Sequence, residues 1–471
     1  MSMSAAASTT DKMEHLSQMA RRIGGKPLGE DAAFARVVTD TRQLRRGDLF
    51  VALKGDNFDG HDYVLRAASL GAAGSLVSHA VEGAPAQVVS ADSLLALQAY
   101  AKSWRADFEL PLIGVTGSSG KTTTKQMLAA VCAARGPVLA TEGNLNNHIG
   151  LPLTLLRLRA EHRTAVIEMG ANHLGEIALL AGLARPDIGL VTQAGDAHLE
   201  GFGSREGVAR GKGEMYTALA GRGVAVINRD DVYFDLWREL AGGSTVLSFG
   251  LSADAHVRAE NIHGQPEQAP TATVFTLITP QGRARVELPL PGRHNVLNAL
   301  AAAAAGLALG LDVAAIAAGL GQVRPVAGRL SWMSTPLGAR LLDDSYNANP
   351  TSLRAALELL AGLPGSRWLV LGDMRELGGD EAAIHEEAGR GARLLGIDRL
   401  YTVGALAQHA AAGFGAQARH FSSAEALIEA LREALSEVDA GQVALLVKGS
   451  RSSRMERVVA ALTGNTVAEA H

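Results

Sequence analysis

The sequence is nearly without cysteine: of 471 residues only Cys132 is one. No intrachain disulfide and no cysteine-based metal site can form, which suits a reducing cytoplasm. An excess of charge of one sign is missing too. The formal net charge is -4, so nothing marks a nucleic-acid binder or a polyacidic tail. Long apolar runs are also absent. The stretch "NALAAAAAGLALGLDVAAIAAGL" is alanine-rich, broken by glycines and interrupted by Asp312. It reads as buried helix, and no membrane insertion is expected. The opening "MSMSAAASTTDK" lacks the basic residues and long apolar core of a signal peptide, and reads as a disordered tail of about twelve residues. No internal repeat is visible.

What is present is the balance of an ordinary enzyme, 47% apolar and 20% charged residues, in a chain longer than one hydrophobic core usually serves. Two or three domains follow. Short apolar runs alternate with helix-length segments, the pattern of parallel sheets covered by helices, so the fold class is α/β. The runs fall into three groups: "DLFVAL" and "GSLVS"; then "LIGVTG", "TAVIEMG", "IGLVTQAG" and "GVAVINRDD"; then "ARLLDDS", "RWLVLGDM", "RLYTVG" and "VALLVKGS". Boundaries are expected near Asp92 and near Pro325, where "GQVRPVAGR" has the Pro/Gly content of a linker, giving segments 1–91, 92–325 and 326–471.

The stretch "IGVTGSSGKTTTKQ" joins a buried strand to a helix through a tight turn at Gly117 and Gly120. Backbone N–H groups at such a helix start suit an anion. Lys121 would reach terminal phosphates, and the Thr122 hydroxyl would ligate a magnesium ion bridging them. Val115 replaces the first glycine of the usual G-x-x-x-x-G-K-[ST] spacing, so the loop reads as a variant P-loop. The plain alternative is a glycine-rich turn with an exposed lysine. Further strands deliver polar residues where their apolar runs stop: Glu168, a suitable magnesium ligand, then His198, then Asn228 and Asp230. In open α/β sheets the ligand crevice lies at those ends. Singly, each has a structural explanation as a helix cap or a satisfied histidine.

Together with "TEGNLNNHIGLPLTLL", "IEMGANHLGEI", "AHLEGFGSREGVARGKGEM", "GRHNVLNALAAAA", "DDSYNANPTS" and "VLGDMRELG", these segments make the chain resemble the Mur ligases from about Thr39 to Arg451. The resemblance implies three domains: an N-terminal α/β domain binding the UDP end of the substrate, a central P-loop-type parallel-sheet domain binding ATP, and a C-terminal Rossmann-like domain binding the incoming amino component. It implies that Gly117, Ser118, Ser119, Gly120, Lys121, Thr122 and Thr123 form the ATP phosphate loop. It also implies two magnesium ions, with Thr122 and Glu168 on the first and His198 on the second, and carbamylation of Lys212 to a further magnesium ligand. Lys121, Glu168, His198 and Lys212 are thus the implied catalytic group. A plain surface lysine is the structural alternative for Lys212.

Asn295 and Asn298 resemble adenine-contacting positions, or cap a helix. Arg329 and Asp344 resemble the pair reaching back to the ATP phosphate and ribose, so that domain closure, hinged at "QVRPVAGR", assembles the site. Asp40, Thr41, Arg42 and the Gly60–His61 turn resemble the uridine diphosphate pocket. Asn146, Asn147 and His148 would face the muramoyl-peptide, or satisfy backbone groups as loop amides. Tyr346, Asn347 and Asn349 would contact a dipeptide, with Pro350 starting a helix, or else build an Asn/Pro turn. Lys448, Ser450 and Arg451 would bind a carboxylate, or form a basic strand-end loop.

The implied reaction is ATP-driven joining of D-alanyl-D-alanine to UDP-N-acetylmuramoyl-tripeptide through an acyl phosphate, a step of peptidoglycan synthesis carried out by a cytoplasmic monomer. No enzyme nucleophile is needed. Relatives adding a diamino acid, or a folylpolyglutamate synthase, would share the ATP site, but no "DNPR"-like diamino-acid motif is present. An ATP-driven switch would need neither the UDP segment nor His198 and Lys212.

Overall fold

The computed structural model describes residues 12–264 and 271–464. Of the expected N-terminal tail, residues 1–11 lie outside the described residues. Four sheets carry the architecture. A five-stranded sheet, Lys26–Gly29, Ala86–Val89, Gly74–Val77, Leu49–Val51 and Val37–Val38 in spatial order, is parallel except for its first strand. The central six-stranded sheet runs Thr245–Phe249, Val224–Asn228, Ile188–Val191, Leu112–Thr116, Thr164–Glu168, Val138–Ala140, all parallel. An antiparallel three-stranded sheet follows (Arg258–Gly264, Thr273–Thr279, Gly282–Leu288). The last sheet, Ser331–Ser334, Arg340–Asp344, Val443–Lys448, Ser366–Gly372, Arg399–Val403, Ala418–Phe421, is parallel apart from its first edge strand.

The central strands read as continuous apolar runs because both faces of a parallel sheet are covered. Alternate side chains separate cleanly. Leu112, Ala165, Ile167, Ala225 and Ile227 pack into one core, and Ile113, Val115, Val166, Leu190 and Val226 into another. The second core is roofed by helices Lys121–Cys132, Arg293–Ala308 and Val313–Gly321. Their small residues permit close approach: a Cβ on Gly319 would lie 2.7 Å from Val131 Cα. The alanine-rich run is buried as expected, but as two helices, because Asp312 caps the second by accepting from Ala315 N–H.

Asp92, the expected first boundary, is the N-cap of helix Ser93–Ala106. Leu97, Tyr100 and Trp104 on that helix join Leu49, Leu76 and Val88 of the N-terminal sheet to Leu151, Ile177 and Trp237 of the central domain in one continuous hydrophobic core. The C-terminal sheet has two cores of its own. It meets the central domain through polar side chains, Asn349 Nδ2 donating to Ser119 Oγ at 3.2 Å and Thr351 lying beside Asp196. Residues 323–326, around Pro325, form no helix or strand between helix Val313–Gly321 and strand Ser331–Ser334. No described helix is long and apolar enough to cross a membrane.

Candidate active site

Strand order in the central sheet reverses around Leu112–Thr116, and the loop leaving that strand lies at the crevice such a reversal creates. Gly117 (φ 141°) and Gly120 (φ 83°) carry the turn. Neither tolerates a side chain, since a Cβ would lie 1.9 Å from Thr192 Oγ1 at Gly117 and 2.4 Å from Asn298 Oδ1 at Gly120. Helix Lys121–Cys132 starts with no side-chain cap, so its first N–H groups are open to an anion. Val115 is a fully buried strand residue in the core, which explains why no glycine is needed there. Lys121 Nζ donates to Gly117 O at 2.7 Å, folding over the loop. Burial lowers its pKa; Glu168 opposes the shift and Arg329 adds to it.

A cavity of about 1160 Å³ opens between this loop and the carboxyl end of the C-terminal sheet. Of the residues expected at the site, Ser118, Ser119, Gly120, Lys121, Thr122, Thr123, Glu168 and His198 line it from the centre, with Asn146, Asn147, Asn295 and Asn298. Arg329, Asp344, Tyr346, Asn347, Asn349, Lys448 and Ser450 line it from the C-terminal side. Gly117 lies beneath the loop against Thr192. Thr41 and Arg42 are not brought to this cavity: they sit on the N-terminal domain, with Arg42 paired to Asp40 at 2.7 Å. Asp230 is also elsewhere, accepting from the backbone of Leu251 and Ser252.

Several lining groups are already engaged within the protein. Ser118 Oγ bonds the Gly195 backbone, and Asn295 Nδ2 donates to Pro291 O at 2.7 Å. Asn349 caps helix Pro350–Ala361 through a reciprocal pair of bonds with Ser352. Lys448 is buried, its ammonium held by the Asp344 carboxylate and, at 2.9 Å, by Asn347 O. Tyr346 lies under the Arg329 guanidinium at 4.2 Å, with Arg451 at 5.6 Å.

Three family models match the chain: "Mur ligase family, catalytic domain" over residues 34–103, "Mur ligase middle domain" over 115–306 and "Mur ligase, glutamate ligase domain" over 328–451. The chain belongs to the Mur ligase family. A UDP-N-acetylmuramoyl-tripeptide--D-alanyl-D-alanine ligase of Escherichia coli (strain K12) is 44% identical over 451 residues, 96% of this chain and 98% of that protein. A crystal structure of MurF from Acinetobacter baumannii superposes with a TM-score of 0.91 at 35% identity, covering 97% of this chain and 100% of that one. MurF ligase from Thermotoga maritima in complex with ADP gives 0.78 at 28% identity, covering 91% and 97%.

In this Mur ligase the side chains of Thr122 and Asn146 converge on Glu168. Its Oε1 accepts from Asn146 Nδ2 at 2.9 Å and lies 3.4 Å from Thr122 Oγ1. Its Oε2 is buried with no hydrogen bond, Lys125 Nζ standing 3.6 Å away. A carboxylate with an unsatisfied oxygen beside a hydroxyl fits magnesium, which takes oxygen ligands. His198 sits in the left-handed region at φ 57°, and its Nδ1 meets Glu376 Oε2 at 2.5 Å. Burial, then the charges of Lys121 and Lys212, lower its pKa, while Glu376 opposes the shift. Lys212 is 0% exposed, which excludes the surface-lysine reading. It lies behind Ala171, donating to that carbonyl at 2.7 Å, with Nζ 4.9 Å over the Phe202 ring. Burial, reinforced by Lys121, pushes its amine well below the ordinary lysine range.

Sequence reading missed Thr192, whose hydroxyl donates to Ser119 O at 2.6 Å, and Lys125, which is buried and donates to Thr141 O at 2.7 Å. The helical spacing Lys121-to-Lys125 put both lysines on one helix face and was the available signal for the latter. Glu376 lay inside "VLGDMRELG" without an assigned role.

Proposed function

We propose that the chain joins D-alanyl-D-alanine to the peptide carboxylate of UDP-N-acetylmuramoyl-tripeptide, with ATP cleaved to ADP and phosphate. The observation that carries this reading is the cavity that faces an open helix N-terminus and Glu168 on one side and the Asp344–Lys448 sheet end on the other. The likeness to proteins named for this reaction, along nearly the whole chain, supports the choice of substrates.

Amide formation from a carboxylate is uphill at neutral pH, and transfer of the ATP γ-phosphoryl group makes the carboxylate an acyl phosphate. The dipeptide amine then attacks the acyl carbon and phosphate leaves. Lys121 and the N–H groups of Gly120 to Thr123 hold the phosphoryl oxygens, and catalysis is positioning plus electrostatics. Magnesium, when bound, neutralises phosphate charge; Thr122, Glu168 and His198 are the residues that would hold it. Asn295 and Asn298 face the nucleotide base, and Arg329 and Asp344 the phosphate and ribose. Tyr346, Asn347, Asn349 and Ser450 serve the dipeptide, Asn146 and Asn147 the muramoyl-peptide, and Thr41 and Arg42 the uridine diphosphate. Lys448 acts by fixing Asp344. The protein works as a cytoplasmic monomer.

Carbamylation of Lys212 needs a neutral amine, and burial shifts the Lys212 amine in that direction. Activity is therefore expected to fall in carbon-dioxide-depleted buffer and return with bicarbonate, whereas Lys212→Ala should be rescued by short carboxylic acids. Indifference to bicarbonate would sink the modification. For the reaction itself, phosphate release is measured with both acceptors and with each omitted. Turnover that requires both, with the extended UDP product seen by mass, is expected; turnover independent of either refutes the ligase.

A further inference from the structure

His198 and Glu376 are 178 residues apart in sequence, belong to different domains, and meet at 2.5 Å. Both are non-glycine residues in the left-handed region, at φ 57° and φ 61°. Such backbone costs free energy and persists only where the surroundings impose it. The loop bearing Glu376 is exposed at its tip but anchored on both flanks. The carboxylate of Asp373 accepts from the N–H groups of Leu406 and Ala407, and the Asp373 carbonyl from Ser450 N–H. Met374 N–H donates to buried His385 at 2.9 Å. Gly378, also left-handed, packs against the helix turn that follows His198: a Cβ there would lie 2.9 Å from Glu200 N. The backbone around Glu376 is thus set by the C-terminal domain, and its carboxylate by the contact with His198.

A carboxylate at Nδ1 keeps the proton on that nitrogen and leaves the lone pair on Nε2. Among the described residues no hydrogen-bond partner faces Nε2, and His198 lines the cavity. We infer that Glu376 is a positioning residue that reaches from the C-terminal domain to hold His198 in its Nδ1–H tautomer with Nε2 turned to a divalent cation. The cation site is then complete only when the C-terminal domain is docked, which couples domain arrangement to cation affinity. The inference rests on the reading of His198 as a cation ligand.

The test is a Mn2+ titration of the full chain with a non-hydrolysable ATP analogue, followed by electron paramagnetic resonance, on wild type, Glu376→Ala, Glu376→Gln and His198→Ala. Removing an outer-shell partner of a ligating histidine weakens metal binding by about tenfold or more, so Glu376→Ala should lose about tenfold in Mn2+ affinity. Glu376→Gln, which still accepts from Nδ1–H, should stay within about threefold of wild type; an equal loss in both variants would make Glu376 itself the ligand and overturn the positioning role. Nitrogen-15 imidazole spectra should show the His198 Nδ1–H pattern disappearing in Glu376→Ala, assigned by its absence in His198→Ala. Unchanged affinity and tautomer in Glu376→Ala, with weakened binding in His198→Ala, would overturn this inference alone. Unchanged binding in His198→Ala would remove the ligand reading beneath it. Glu376→Gly, which suits the left-handed backbone, repeats the test should the alanine variant fail to fold.

Discussion

Gly117 is the residue on which the phosphate loop turns, because its φ is 141° and a Cβ there would stand 1.9 Å from Thr192 Oγ1, leaving no place for a side chain. Gly117→Ala should destabilise the protein by about 2–4 kcal/mol in urea unfolding and weaken nucleotide binding at least about tenfold in calorimetry. His294, whose Nε2 is buried without a hydrogen bond at the cavity edge, is the second residue with a measurable signature. Burial, then the charge of Lys448, lowers its pKa from 6.5 to about 4. Between those values the unfolded chain binds more protons, so stability rises with pH through the window and is lost as pH falls to about 4. The span corresponds to about 3 kcal/mol at most, and His294→Phe should flatten the stability profile between pH 4 and 6.5 by that order. An unchanged profile would show that another group titrates there. At this scale the glycines, Lys121, Thr122 and Glu168 were legible, since local spacing places them at a strand end. Glu376 and Thr192 were not, because their meaning comes from partners far away in sequence.

Among the elements, helix Pro350–Ala361 links stability to the site. Asn349 caps it, and the same side chain donates to Ser119 Oγ in the phosphate loop. Asn349→Ala should cost about 1 kcal/mol in thermal unfolding and also lower kcat/KM. Asn349→Ser should restore the cap, within about 0.5 kcal/mol, but not the activity, because its shorter side chain cannot bridge to Ser119. Equal recovery of both would make the inter-domain bond irrelevant. The parallel strands were legible because burial on both faces writes them as apolar runs. The antiparallel sheet spanning Arg258–Leu288 was not, since its two outer strands are largely exposed and its register depends on pairing. The alanine-rich run gave no hint of two helices beyond Asp312, whose capping role needs the turn before it.

In the whole molecule, the N-terminal and central sheets share one apolar core, while the C-terminal sheet joins them through polar contacts around the cavity. Scanning calorimetry should therefore show two transitions, the first from the C-terminal domain. A non-hydrolysable ATP analogue at a hundred times its dissociation constant should raise that transition by about 2.7 kcal/mol and draw the two together, because it binds both sides. A single transition unmoved by nucleotide would contradict a site shared between domains. The α/β fold class and the strand-turn-helix loop at Gly117–Thr123 were determined by the sequence itself, because short-range periodicity and loop chemistry are local properties of the chain; the family and the other cavity-lining residues were reached through motif resemblance. The tertiary structure alone decided that Lys212 is buried and not a surface lysine, that Lys448 is committed to Asp344, and that Glu376 meets His198. Burial and pairing depend on what long-range packing brings alongside a residue, and nothing in its immediate neighbours encodes that.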